Sequence, residues 1–235
     1  MDQTIKILAE PMDGRRCRFV VDRPLDPGRW AYFSDAEAAR GSPLAERLFE
    51  VAGVIAVLIA HEKVTITRVE SGALPVVGPA WNRLRRALGD PRAGADEWPK
   101  IGLKIGEAIR SHLALGVPAV SDAAHAAMPS SDELRSRVQH VLDDDVNPVV
   151  AGHGGGVEVV ELIDNVIYLR MWGGCQGCGL ADVTLRQGVE AVIRDKVPEI
   201  GEVFDLTDHS AGSRPFFDPG RSRSGGSPFG NRSAR

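Results

Sequence analysis

Cysteine is scarce in this chain: 235 residues hold three, an odd number and too few for a disulfide framework, so cohesion must come from packed apolar cores. Thiols that do stand close together then point to metal or redox chemistry in a reducing compartment. A basic excess is also missing. The formal net charge is -4, which argues against nucleic acid as a general partner and favours protein partners, because a nucleic-acid-binding domain is ordinarily basic. Long apolar runs are absent too. The longest, 51–60, is interrupted by Gly53 and is far too short to span a bilayer. The first residues, Met1-Asp2-Gln3-Thr4-Ile5-Lys6, lack the basic start and apolar run of a secretion signal. These absences give the expectation of a soluble cytoplasmic protein with no membrane contact. No general-base pair or nucleophile triad stands out, so no enzymatic turnover is expected.

What is present is length and apolar content enough for two domains of ordinary size: 43% of residues are hydrophobic. The expected fold is α+β, two small α/β-layer domains joined by a flexible linker. Residues 5–8 and 16–21 read as strands around a turn at 10–14, with Cys17 on the second strand as a small buried hydrophobe. Ser34-Asp35-Ala36-Glu37 has the pattern of a capping box and predicts a short helix. Another helix starts at Ser42-Pro43, with Leu44, Leu48, Phe49 and Val51 as its apolar face and Gly53 as its stop. Two further strands, 54–59 and 63–69, flank a turn at Ala60-His61-Glu62 in which His61 is a turn residue and not a ligand.

Residues 71–96 change to Gly, Pro, Ala and Arg and read as an insertion, with a short basic helix at 81–88. Helical periodicity returns from Trp98 through Ile101, Ile105, Ile109 and Leu113, and Gly116 and Pro118 end it. The first domain is therefore placed at 1–117. Residues 118–130, with little to bury, are taken as the linker. The second domain, 131–208, opens with a capping box at Ser130-Ser131-Asp132-Glu133 and a helix with Leu134, Val138, Val141 and Leu142 on one face. Pro148 kinks or restarts that helix, and 152–156, Gly-His-Gly-Gly-Gly, breaks it. A hairpin of strands 157–163 and 166–171 follows, then a helix over 180–196 and a strand over 202–206, giving the order helix-strand-strand-helix-strand. The remainder, 209–235, is a basic tail with Arg214, Arg221, Arg223, Arg232 and Arg235 against Asp218, expected to be disordered.

Two of the three cysteines lie together in Gly173-Gly174-Cys175-Gln176-Gly177-Cys178-Gly179, between the second hairpin strand and the helix. A thiolate is the form of cysteine that binds metal or attacks a disulfide, and unsatisfied N–H groups at a helix start favour it, by about 0.3–1 kcal/mol from the dipole. That tunes a thiolate but cannot hold a cofactor, so any metal must be held by direct sulfur bonds. Glycine lets the backbone approach a bulky inorganic centre closely. Zinc sites and iron-sulfur clusters normally take four ligands, whereas one Cys-x-x-Cys supplies two. Cys17 belongs to the other domain and His153 to a helix break. The count therefore favours Cys175 and Cys178 from each of two copies meeting across a two-fold axis. A thioredoxin-like thiol-disulfide oxidoreductase and a structural zinc-bridged dimer stay open as alternatives.

The stretch from Val157-Glu158-Val159-Val160-Glu161 through Tyr168-Leu169-Arg170, Gly174-Cys175-Gln176-Gly177-Cys178 and Thr184-Leu185-Arg186-Gln187-Gly188-Val189-Glu190 to Val197-Pro198-Glu199 resembles the C-terminal domain of NifU and Nfu proteins. Ser34-Asp35-Ala36-Glu37-Ala38, Ser42-Pro43-Leu44-Ala45, Leu48-Phe49 and 51–53 resemble the Nfu N-terminal domain. The resemblance implies an iron-sulfur cluster scaffold or carrier. It implies a [4Fe-4S] cluster bridging a homodimer through Cys175 and Cys178, an upstream cluster-assembly scaffold as source, and apoprotein acceptors. The chain departs from the pattern where Gly179 stands in place of a proline, where Gly152-His153-Gly154-Gly155 replaces an Asp-Gly-Gly break, and in the length of 71–96.

Overall fold

The computed structural model describes residues 4–69, 98–152, 154–176 and 186–211. The insertion with its basic helix, His153, Cys178 and the tail beyond 211 lie outside the described residues.

The first domain is a five-stranded antiparallel sheet in the order β1-β2-β5-β4-β3, built from β1 (Ile7–Pro11), β2 (Arg16–Val21), β3 (Asp26–Phe33), β4 (Val54–His61) and β5 (Lys63–Arg68). Alternation sets the face of β2 and β5: Cys17, Phe19, Val21, Val64 and Ile66 point into one core. Helices α1 (Pro43–Phe49) and α2 (Trp98–Leu115) cover that face with Leu44, Leu48, Trp98, Ile105 and Ile109. The β4–β5 connection is as tight as expected, since Ala60 pairs with Lys63 and His61 takes φ 54, so His61 is a turn residue.

Strand β3 was not expected from the sequence. Its opening, Asp26-Pro27-Gly28, is irregular: the pairing with β4 shifts between Asp26 and Trp30, where Gly28 has φ 68. From Trp30 on the side chains alternate between two cores, Trp30 and Tyr32 toward one and Ala31 and Phe33 toward the other. The helix expected at Ser34 is also absent. The Asp35 carboxylate, and not Ser34, accepts the N–H groups of Glu37 and Ala38 at 2.9 and 2.8 Å, which closes a side-chain turn. Turns then run to Gly41, at φ 80, directly before Pro43 restarts the backbone as α1.

Segment 118–130 buries more than expected. Ala119 and Val120 lie in the first core, and a short helix, α3 (Asp122–Ala126), follows them. His125 stands 3.1 Å from the Asp26 carboxylate, Arg29 pairs with Asp122 at 2.9 Å, and the Tyr32 N–H points at the Met128 sulfur at 3.2 Å. Small apolar side chains and one histidine fasten this connection to β3, which its alanine-rich composition did not reveal.

The second domain begins with α4 (Ser131–Val141), capped as expected by the Ser130 hydroxyl accepting the Glu133 N–H. A wide π-turn at Leu142–Val146 leads into α5 (Asn147–Ala151), with Pro148 near its start, where a missing N–H costs nothing. Strands β6 (Gly155–Ile163), β7 (Val166–Gly173) and β8 (Glu202–Asp205) form a sheet in that order. The β6–β7 pair is an antiparallel hairpin turning at Asp164, with φ 54, and β7–β8 is parallel. Helix α6 (Arg186–Lys196) makes the crossover that a parallel pair requires. Leu134, Val138, Leu142, Ile167, Leu169, Val189 and Ile193 fill this second core.

The second core also takes in Trp30, Leu58 and Ala60 from the back of the first sheet. Strand β4 is thus buried on both faces, Val57 and Ile59 on one side and Leu58 and Ala60 on the other. Its unbroken apolar run is what such a strand requires. Polar contacts line the same boundary: Glu202 receives Lys63 at 2.8 Å and Arg18 at 3.4 Å, and the Gly201 carbonyl accepts from Arg18 at 3.1 Å. Among the described residues no helix is long and apolar enough to cross a membrane.

Candidate functional site

Cys175 sits two residues beyond the end of β7. Its position depends on the glycine break that precedes β6. Gly154 and Gly173 both have positive φ, 71 and 61, so the two ends of the hairpin curl toward each other. The Gly174 N–H donates to the Gly154 carbonyl at 3.0 Å, and the Gln176 N–H closes a turn on Gly173 at 3.1 Å. A Cβ on Gly155 would stand 2.6 Å from the Cys175 nitrogen, 2.6 Å from the Trp172 carbonyl and 2.7 Å from the Cys175 sulfur. Gly155 is therefore the floor on which the thiol rests. Next to it, Gly156 lies under the Trp172 indole, which is half exposed on the outer face of the sheet.

The break itself is anchored from α5. Asn147 accepts the Val157 N–H at 2.8 Å and donates to the Val157 carbonyl at 3.0 Å, a two-way bond that fixes where β6 begins. Asn165, 1% exposed, braces the far end: its side-chain amide donates to the Glu199 carbonyl at 3.1 Å, and its backbone carbonyl accepts the Gly201 N–H at 2.9 Å. Both amides satisfy buried backbone groups that would otherwise be costly. Sequence reading did not single out either one, although an asparagine beside a helix restart and one in a tight turn are the available signals.

Cys175 itself is only 3% exposed and belongs to the second core. The expected partner, Cys178, lies outside the described residues, as does His153. Among the described residues no group of three or more His, Cys, Asp or Glu side chains is gathered as a metal site. Cys17 is remote in kind as well as in sequence. It is fully buried on β2, and burial pushes its thiol up to about 12, so it stays protonated and inert across the physiological range.

Beside the cysteine loop runs the segment that follows β8. Its Leu206 N–H donates to the Leu169 carbonyl at 2.8 Å, and the Thr207 hydroxyl accepts the Met171 N–H at 2.7 Å. The Gln176 amide reaches across to donate to the Asp208 carbonyl at 2.8 Å. Asp205 organises the turn, accepting the Thr207 N–H at 2.8 Å, the Thr207 hydroxyl, and His209 at 2.9 Å. Burial works to raise this carboxyl, but the bonds from Thr207 and His209 outweigh it and hold Asp205 below the ordinary carboxylate range.

Fold and site together define a two-domain α+β protein whose second domain seats a cysteine loop on a glycine floor. The profile described as NifU-like domain matches residues 138–204, and the one described as Scaffold protein Nfu/NifU N terminal matches 10–79. The chain thus matches both profiles, in that order, each over less than a third of its length. It is 39% identical over 132 residues to the Fe/S biogenesis protein NfuA of Stenotrophomonas maltophilia strain K279a, covering 54% of this chain and 65% of that one. It is 50% identical over 84 residues to the protein of the same name from Xylella fastidiosa strain M23, covering 35% of this chain and 42% of that one. The match thus spans less than two thirds of the length of these relatives. A solution structure of the NifU-like protein from Saccharomyces cerevisiae aligns at 17% identity with a TM-score of 0.36, over 52% of this chain and 91% of that one.

Proposed function

We propose that this chain is a carrier of iron-sulfur clusters, in which Cys175 and Cys178 of one copy and the same pair of a second copy hold a [4Fe-4S] cluster that is handed to apoproteins. The observation that carries the reading is the seat of Cys175: a thiol at a sheet end, on glycine backbone that admits no side chain, in a domain of NifU type. The cluster is cargo. Loading from an upstream scaffold and delivery to an acceptor are ligand exchanges: on loading, Cys175 and Cys178 replace the scaffold's ligands at iron, and on delivery the acceptor's thiolates replace Cys175 and Cys178, so the chain needs no general acid or base. A pair shared between two copies must come to the surface of each to hold the cluster, and there such exchange is open to an acceptor. The first domain, 1–117, is the part that meets partner proteins, and 118–130 fixes its place relative to the cysteine loop.

The test is iron, acid-labile sulfide and zinc content of the anaerobically reconstituted protein, with its visible spectrum and native mass. The expected outcome is about four irons and four sulfides per dimer and transfer to an apoprotein, the composition of a [4Fe-4S] centre. Zinc alone in a colourless dimer would make the site a structural clasp. A metal-free monomer with a reversible Cys175–Cys178 disulfide would make it a thiol oxidoreductase.

A further inference from the structure

Cys175 presents a geometric problem for any partner on another molecule. At 3% exposure its sulfur faces Gly155 and the second core, so it reaches an inorganic centre shared with a second chain only when the loop turns it outward. The Cys175 N–H bond to the Trp172 carbonyl is long, at 3.4 Å.

We propose that the segment 205–209 is a latch that sets the exposure of Cys175, with Gln176 and Thr207 as its positioning residues. Gln176 is the residue directly after the cysteine, and its side chain crosses to a carbonyl 32 positions away. Because that partner is a carbonyl, the amide must present its nitrogen, so the contact has one direction. Thr207 holds the other side: its hydroxyl accepts from Met171, on the strand that delivers the loop, and donates to Asp205. Asp205 in turn bonds the Thr207 N–H and His209, and Asp208 accepts the Ser210 N–H at 3.0 Å, so the segment is itself rigid. A stiff strap bonded to the strand before the cysteine and to the residue after it keeps the sulfur turned inward. Release of the Gln176 bond frees the loop without disturbing the sheet, since the bond to Met171 lies one step back on β7. The latch deepens the carrier reading and rests on it for its purpose, yet its test reads the thiol alone.

The experiment is the rate of iodoacetamide alkylation of Cys175 in the full chain carrying Cys178→Ser, with Cys17 protected by burial and its protonated thiol. Gln176→Ala is expected to raise the rate about threefold to tenfold, the population shift that loss of one net hydrogen bond gives, with an unchanged circular dichroism spectrum. Thr207→Val should raise it similarly and Thr207→Ser should restore the parent rate, a rescue that a merely structural role would not require. If Thr207→Val loses its circular dichroism, Gln176→Ala decides alone. A parent-like rate in Gln176→Ala, or an equal rate in Thr207→Ser and Thr207→Val, overturns the latch. Iron and sulfide loading of the parent chain, measured separately, tells a failure of the carrier reading from a failure of the latch.

Discussion

Cys17 and Cys175 are both shut away from water, at 0% and 3% exposure, yet they lie in opposite kinds of backbone. Cys17 is one residue of an alternating strand, paired with Ile66 in the middle of a five-stranded sheet, with Phe19 and Val21 on the same face. Cys175 is in a turn between glycines, held by a few directional bonds to other parts of the chain. A thiol on a strand can leave its pocket only with the sheet. A thiol in a turn can leave by a change in a few dihedral angles. Burial therefore does not distinguish the two, whereas the freedom of the backbone that carries each one does, as the ligand role proposed for Cys175 requires.

Substitution of each cysteine is the largest test of this contrast. Cys175→Ser is expected to abolish iron and sulfide loading and leave the circular dichroism spectrum intact, whereas Cys17→Ser should load normally but melt lower, since it buries a hydroxyl at a cost of about 1–3 kcal/mol. Loading by Cys175→Ser, or its loss in Cys17→Ser, would reverse the roles assigned to the two sites.

The glycines sharpen the comparison on a smaller scale. Gly155→Ala forces a Cβ against backbone and sulfur and is expected to lower stability by about 1–3 kcal/mol in denaturant melts, with loading impaired in parallel. Gly188, exposed within α6 where an added Cβ would meet nothing within 4 Å, should behave the opposite way: Gly188→Ala adds about 0.5–1 kcal/mol through helix propensity. A neutral Gly155→Ala would show that the floor under Cys175 is not tight.

Acid gives a finer probe. The Asp205 carboxyl is depressed in the folded chain, so its contribution to stability is complete above the ordinary aspartate range, near pH 4, and is lost as pH falls through its lowered folded value. Thermal melts below pH 4 should therefore fall more steeply for the parent than for Asp205→Asn. Equal slopes would remove Asp205 from the brace. The smallest effect is expected at the boundary of the two cores, where Glu202→Gln weakens partly exposed ion pairs with Lys63 and Arg18 and should cost less than about 1 kcal/mol.

Much of this was legible in the sequence where the signal is local. The Ser130 cap, the stop at Gly116, the hairpin at Asp164 and the helix from Trp98 each follow from neighbouring residues. The cysteine pair stands out by the scarcity of cysteine and by its place between a strand and a helix. What escaped depended on distant contacts. Strand β3 hid behind Asp26-Pro27-Gly28, because only its pairing with β4 makes those residues part of a sheet. At Ser34-Asp35 the same polar residues fit a cap or a side-chain turn, and Pro43 and Gly41 decided for the turn. The docking of 118–130 rests on His125 and Asp26, nearly a hundred positions apart. The seat of Cys175 on Gly155 joins two ends of a hairpin, and no spacing rule within the Cys-x-x-Cys motif points to it.

The two-sided burial of β3 and β4 has a consequence for how the chain comes apart. Trp30, Leu58 and Ala60 belong to the second core while Ala31, Val57 and Ile59 belong to the first, so the strands are a shared wall. Melting of either side strips that wall and exposes apolar surface belonging to the other, which links the two unfolding equilibria. The slowest amide hydrogens to exchange with solvent should therefore cluster on Val57 to Ala60, and the halves of the molecule should open as one cooperative unit. Such a chain would present to proteases a single lifetime and not two.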